Sequence, residues 1–208
     1  MGNCKESFDN IAQWVDPKLI FSKNRGWDNM ALVGILGEWV LHFVAGDILE
    51  IGVGESTVYM TALANKYNRR GYYCDSNEEK ITEIKEAGHF SNNGKIYPCT
   101  SNEMFAKNEL TPLAFTFIDG NHQDDIYELD FWNAEKLTVP NGYILMHDTY
   151  PPGDNWIING GNGTVYQFRQ KIEKDKRFDV FTFVGNTKLP YAFTLIRKKS
   201  INRPYYQE

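Results

Sequence analysis

No stretch of this sequence stays apolar for the ~20 residues that a bilayer crossing requires, so a membrane-spanning helix is not expected. The first nine residues lack the basic and apolar regions of a signal peptide, and a cytoplasmic protein is the simplest expectation. Basic runs are equally scarce. Beyond Arg197-Lys198-Lys199 there is none, and the net charge is -5, so the phosphate-tracking stripe of a nucleic-acid binder is missing. The three cysteines, Cys4, Cys74 and Cys99, are odd in number, far apart and not arranged as CxxC. That excludes a disulfide framework and a zinc knuckle, and the thiols are expected to be reduced, two of them in strands. Repeats, low-complexity tracts and linkers are absent too. A chain of 208 residues then fits one α/β domain, with residues 1–45 as a helical segment packing on a core formed by residues 46–208.

What the sequence does contain is an alternation of strand-like apolar runs with amphipathic stretches of helical length. Strands are expected over 47–51, 71–74, 95–99, 114–118, 142–146, 180–184 and 191–196. Helices are expected over 29–43, 56–67, 77–87, 102–108, 124–136 and 164–174. Asn77 followed by Glu78 and Glu79 is a good helix start, an amide cap with acids against the positive end of the dipole. Such alternation means βαβ units and a parallel sheet. The last two strands are joined by only about six residues, too few for the dozen or more of a parallel crossover, and should form an antiparallel hairpin. From about Gly46 to Arg197 this arrangement resembles the class I methyltransferases, which implies a Rossmann-like three-layer α/β sandwich: a seven-stranded, mostly parallel sheet with an antiparallel last strand.

Residues 47–57, Asp-Ile-Leu-Glu-Ile-Gly-Val-Gly-Glu-Ser-Thr, form an apolar strand ending in a glycine-rich turn that opens a helix. Gly52 and Gly54 let the backbone approach a ligand closely, and Ser56 lies at the helix start. In the dinucleotide pattern G-x-G-x-x-G a third glycine packs the helix beside a pyrophosphate; here that place holds Thr57. Glu50, two residues before the first glycine, would repel a pyrophosphate but suits the ammonium of a methionine moiety. Charge therefore favours S-adenosylmethionine over NAD. Asp75 closes the second strand about twenty residues later, where an acid accepts hydrogen bonds from both ribose hydroxyls; the plainer reading is a cap for the next helix. Thr100 and Ser101 follow the third strand, where the resembling fold holds the adenine edge, though both types are also common caps.

The fourth and fifth strands run into Asp119-Gly120-Asn121-His122 and His147-Asp148-Thr149. Both end in acid at the carboxyl edge, where open α/β sheets bind ligands. Two carboxylates brought together there mean a shared hard cation or a coupled carboxyl pair. D-G-x-H and H-D at these places look like the small-molecule and sugar O-methyltransferases of the class I superfamily, including the macrolide-sugar (macrocin or mycinamicin) and catechol types. The resemblance implies Asp119 and Asp148 as ligands of a divalent metal such as Mg2+, with Asp119 also beside the cofactor and among the catalytic residues. The families' usual third ligand directly follows the second acid, and Thr149 stands there instead. His122 is the expected base, taking the acceptor's proton at physiological pH. His147, by strand alternation, should point away from Asp148 and be structural. Among Asp124, Asp125, Glu128 and Asp130, helix-dipole compensation accounts for most; Asp130 stands apart because the resembling families often keep an acid there.

A Gly-, Pro- and Asn-rich stretch over 150–163 reads as a loop beside the site, with Trp156 either covering an acceptor ring or anchoring the loop. Trp14, Phe21 and Trp27 are expected to pack over the cofactor or form a homo-oligomer surface. The acceptor implied is a small-molecule or sugar hydroxyl. An amine-directed N-methyltransferase would show an Asp or Asn with Pro-Pro and an aromatic after strand four, which is not the pattern here. An NAD- or nucleotide-binding module, or a binder of S-adenosylmethionine without catalysis, are the remaining alternatives.

Overall fold

The computed structural model describes residues 30–122, 125–150, 163–184 and 192–200. In chain order the elements are α1 (Ala31–Phe43), β1 (Asp47–Ile51), α2 (Ser56–Lys66), β2 (Gly71–Asp75), α3 (Glu78–Glu86), β3 (Lys95–Pro98), α4 (Ser101–Ala106), β4 (Leu113–Ile118), α5 (Ile126–Leu137), β5 (Thr138–His147), α6 (Gly163–Ile172), β6 (Phe178–Val184) and β7 (Ala192–Lys198). The sheet order is β3-β2-β1-β4-β5-β7-β6. Strands β1 to β5 pair in parallel, and β7 alone runs antiparallel, to both β5 and β6. The expected hairpin is present: seven residues separate Val184 from Ala192, fewer than a parallel crossover needs, so β7 reverses.

Residues alternate between two cores. Leu49, Ile51, Cys74, Ile144 and Met146 face α4, α5 and α6, whereas Ile48, Tyr73, Phe115, Phe117 and Leu145 face the layer containing α1 and α2. This makes three layers. Strand β4 is buried along its full length, as a central parallel strand covered on both faces should be. Helix α3 starts as its sequence indicates, with the Asn77 side chain accepting from the Lys80 amide.

Strand β5 starts at Thr138, four residues before the expected start at Gly142. Val139-Pro140-Asn141-Gly142 carries turn residues, and Asn141 does adopt a left-handed φ of 63°. The chain nevertheless resumes pairing: Leu113 meets Thr138 and Phe115 meets Tyr143, so the extra residues form an irregularity within the strand. Trp14, Phe21, Trp27, Trp156 and Tyr191 lie outside the described residues. Among the described residues no helix is long and apolar enough to cross a membrane.

Gly37, on the buried face of α1, packs against α2 and β4. A Cβ there would fall 2.4 Å from the Leu63 Cδ1 and 3.1 Å from the Phe115 ring. Gly37→Val is therefore expected to lower unfolding stability by about 1–3 kcal/mol through overpacking, read as a reduced denaturant midpoint.

Candidate active site

At its carboxyl edge the sheet opens into a cleft of about 360 Å³. It is bounded by the ends of β1 (Gly52), β2 (Asp75) and β4 (Asp119) and by the start of α4 (Ser101), with Asp130 of α5 beside them. Gly52 must be glycine for a reason internal to the fold. Its φ is 87°, and a Cβ would lie 2.1 Å from the Asp119 carbonyl oxygen. The missing side chain lets β1 and β4 close together, with the Asp119 amide donating to the Ile51 carbonyl at 2.8 Å. Gly54 is less constrained: a Cβ there would make ordinary contact with Lys80 at 3.7 Å.

Glu50 is fully buried beneath the glycine turn. The Ser56 hydroxyl donates to it at 2.5 Å, so Ser56 faces inward to this carboxyl and is not among the residues bounding the cleft. Burial raises the Glu50 pKa to about 8, against the hydrogen bonds of Ser56 and Thr57. Thr57, at the place of the third glycine, uses its hydroxyl oxygen to accept from the Gly54 amide at 2.8 Å, bracing the turn from within.

Asp75 is heavily engaged. One carboxylate oxygen accepts from the Val53 amide at 3.1 Å and lies 3.3 Å from the Lys80 ammonium; the other accepts from the Asn77 amide at 2.8 Å. It thus both turns the chain into α3 and remains at the cleft wall. Lys80, a cation at the mouth of the cleft, escaped the sequence reading because a lysine on an amphipathic helix carries no distinguishing signal. Thr100 caps α4 in a reciprocal capping box with Glu103, and Ser101 borders the cleft.

The two acid-bearing strand ends meet two histidines. His122 lies with Nε2 3.7 Å from the Asp119 Oδ1 and Nδ1 3.7 Å from the Asp148 Oδ2. His147, contrary to expectation, does not point away from Asp148. Its Nδ1 is 2.9 Å from the Asp119 Oδ1 and 3.5 Å from the Asp148 Oδ2. The alternation rule fails because the strand ends at His147: Asp148 has a left-handed φ of 53°, which swings its carboxylate back to the same side. Ligand atoms of Asp119, His122 and Asp148 all lie within 4.8 Å of one another. Thr149, at the expected third-ligand place, is fully buried and accepts from the Thr194 hydroxyl at 2.7 Å.

Electrostatics separate the two acids. Burial works to raise Asp119, but its interactions with His122 and His147 hold it well below the usual carboxylate range. Asp148 is raised by burial despite the same two histidines. Burial alone would lower His147, yet the Asp119 and Asp148 carboxylates outweigh it and raise that imidazole. Below this cluster the Tyr127 hydroxyl donates to the carbonyls of Ile118 and His147, tying the ends of β4 and β5 together.

Arg169 of α6 is almost wholly buried. Its Nε donates to the Thr149 carbonyl at 3.1 Å, and its guanidinium lies 5.3 Å and 5.1 Å from the ring centres of Tyr150 and Tyr166.

Residues 49–149, which hold every acid and histidine of this edge, match a family model described as a methyltransferase domain. No curated protein matches the chain. Among solved structures it is similar to the O-methyltransferase TomG from Streptomyces achromogenes, involved in tomaymycin synthesis and in complex with SAM. Identity there is 17%, TM-score 0.68, with 94% of this chain and 90% of that one covered. The O-methyltransferase from Bacillus cereus in complex with SAH gives 18% identity and TM-score 0.68, covering 96% and 93%. An rRNA methylase from Streptococcus thermophilus gives 11% and 0.57, covering 80% and 95%. At these identities the likeness is one of fold.

Glu50 supplies a measurable consequence. Its pKa is about 8 in the folded chain against an ordinary 4.5. Between those values the unfolded chain releases a proton that the folded chain keeps, so the stability this group contributes is full below pH 4.5 and falls as pH rises to 8. Glu50→Gln lacks that loss. Its melting temperature without ligand is expected to exceed the wild type's by several degrees at pH 8 and to approach it at pH 5.

Proposed function

We propose that the chain is a class I methyltransferase that transfers the methyl group of S-adenosylmethionine to a hydroxyl oxygen of a small molecule or sugar, assisted by a divalent cation; the match of residues 49–149 to a methyltransferase-domain model supports this reading. The observation that carries this reading is the convergence of Asp119, His122 and Asp148 beside a cleft bounded by Gly52, Asp75 and Ser101. Negative groups dominate that edge, and the methyl donor brings a sulfonium and an ammonium to it. Glu50 contributes from beneath the turn, where a cation overhead favours its ionised form.

In the transfer itself the bond from sulfur to the methyl carbon breaks as the bond from the acceptor oxygen forms. The sulfonium becomes a neutral thioether, and the hydroxyl proton has to leave. His122 would take it. Both its ring nitrogens face a carboxylate at 3.7 Å, and Nε2 is buried without a hydrogen-bond partner among the described residues. His147 positions Asp119 by their 2.9 Å contact. Orientation supplies much of the remaining catalysis, since an in-line transfer has little other chemistry to assist.

Asp119 and Asp148 would hold the cation, and the donor set fits one: two carboxylates with an imidazole in reach. Bound there, a dication would lower the pKa of the acceptor hydroxyl and fix its oxygen. A second reading has His122 as the third ligand, because Thr149 has turned its hydroxyl to Thr194.

Calorimetry of Mg2+ and Mn2+ binding separates the two. With His122 as base, His122→Ala is expected to bind the cation as the wild type does while its turnover falls about a hundredfold or more. With His122 as ligand, cation affinity falls in parallel. Asp119→Ala is expected to lose both. Full turnover by Asp119→Ala, or calorimetric binding of NAD with no response to S-adenosylmethionine or S-adenosylhomocysteine, would overturn the proposal.

A further inference from the structure

Of the two acids in the cluster only Asp148 has a left-handed backbone, with φ 53°. A non-glycine residue stays in that region only where its surroundings over-determine it. Three successive peptide groups around Asp148 are held. The His147 carbonyl accepts from the Tyr127 hydroxyl at 2.9 Å, the Thr149 amide donates to the Ala192 carbonyl at 3.4 Å, and the Thr149 carbonyl accepts from Arg169 Nε at 3.1 Å. The first two bonds are between neutral groups, and the second is long. Arg169 brings a charged donor, and a hydrogen bond of that kind is roughly twice as strong.

Arg169 is 6% exposed, and a buried guanidinium is costly unless its donors are used. It does not line the cleft. Beyond Nε, the guanidinium turns to Glu173 and to the rings of Tyr150 and Tyr166, so its link to Asp148 runs through the main chain. Helix α6, which carries it, is fixed in the core by Val165, Phe168 and Ile172. At the start of the same helix the Thr164 hydroxyl donates to the His122 carbonyl at 2.5 Å. One packed element therefore stands behind both Asp148 and His122, whose Oδ2 and Nδ1 are 3.7 Å apart.

A hard divalent cation takes its oxygens at about 2.0–2.6 Å, a tolerance that a carboxylate on a reversing strand end does not keep unaided. We propose that Arg169 is a positioning residue: by gripping the Thr149 carbonyl it holds Asp148 in the left-handed backbone that keeps its carboxylate beside Asp119 and His122. The assignment rests on the reading of Asp119 and Asp148 as cation ligands.

Three substitutions separate the hydrogen bond from charge and bulk. Arg169→Gln places a side-chain nitrogen where Nε stands and still donates to the Thr149 carbonyl. Arg169→Met fills the same length without a donor, and Arg169→Lys keeps the charge but has carbon at the Nε position. Mn2+ affinity is measured by calorimetry on the full chain, and a cooperative thermal transition shows which variants are folded. Arg169→Met and Arg169→Lys are expected to bind Mn2+ about ten- to a hundredfold more weakly than the wild type, while Arg169→Gln stays close to it; the lysine variant serves if the methionine variant does not fold. Wild-type Mn2+ affinity in the methionine or lysine variant, as an arginine that only anchored the chain after Tyr150 would give, overturns the positioning role and leaves the cation reading intact. So does an equal loss in the glutamine variant. Absence of Mn2+ binding by the wild type removes both.

Discussion

The close approach of β1 and β4 at Gly52 is the constraint on which the site depends. Where a side chain would otherwise stand, the backbone of Asp119 passes, and the amide of Asp119 bonds to the carbonyl of Ile51. That contact sets how far β4 projects beyond its neighbours. Because β4 and β5 pair in parallel, with Ile118 opposite Met146, the chain leaves both strands at one level, and Asp119 and Asp148 emerge side by side. Tyr127 then locks the two strand ends with bonds to the carbonyls of Ile118 and His147. The carboxylates are held near each other by backbone geometry, against their own repulsion.

That repulsion is managed by neighbours of opposite tendency. Two imidazoles stand among two carboxylates: they hold Asp119 well below the usual range against its burial, whereas at Asp148 burial outweighs them and raises it. Glu50 and Asp130 are further acids placed where water does not reach, each with a raised pKa. Desolvation wins at both because neither has a nearby cation strong enough to offset it. Both acids therefore cost the fold stability that paired or exposed carboxylates would not.

The architecture was legible because its signals are long and redundant: seven apolar runs, helices of the right length between them, a glycine turn, and a final connection too short for a crossover. The start of β5 was not, since Pro140 and Asn141 are turn residues and only pairing with β4 carries the strand through them. Within the site, Asp119, Asp148 and His122 could be placed together from the strand ends alone. His147 was misplaced because strand alternation stops where the strand does, and the left-handed backbone of Asp148 has no clear mark in an Asp-Thr pair. Ser56 looked like a ligand-facing serine at a helix start; that it would turn to Glu50 depends on the depth of that carboxyl. Asp130 stood apart in the sequence only through the resemblance, and its near-complete burial is visible only in three dimensions.

Arg169 has one further effect. It grips the chain on both sides of the segment 151–162, holding the Thr149 carbonyl and the ring of Tyr150 on one side and the ring of Tyr166 on the other. With its two anchors fixed by a single guanidinium, the length of the connecting segment becomes nearly a free variable: doubling a loop adds only about 0.6 kcal/mol of closure entropy. A change in the number of residues between these two anchors therefore leaves the contacts of Arg169 with the scaffold in place.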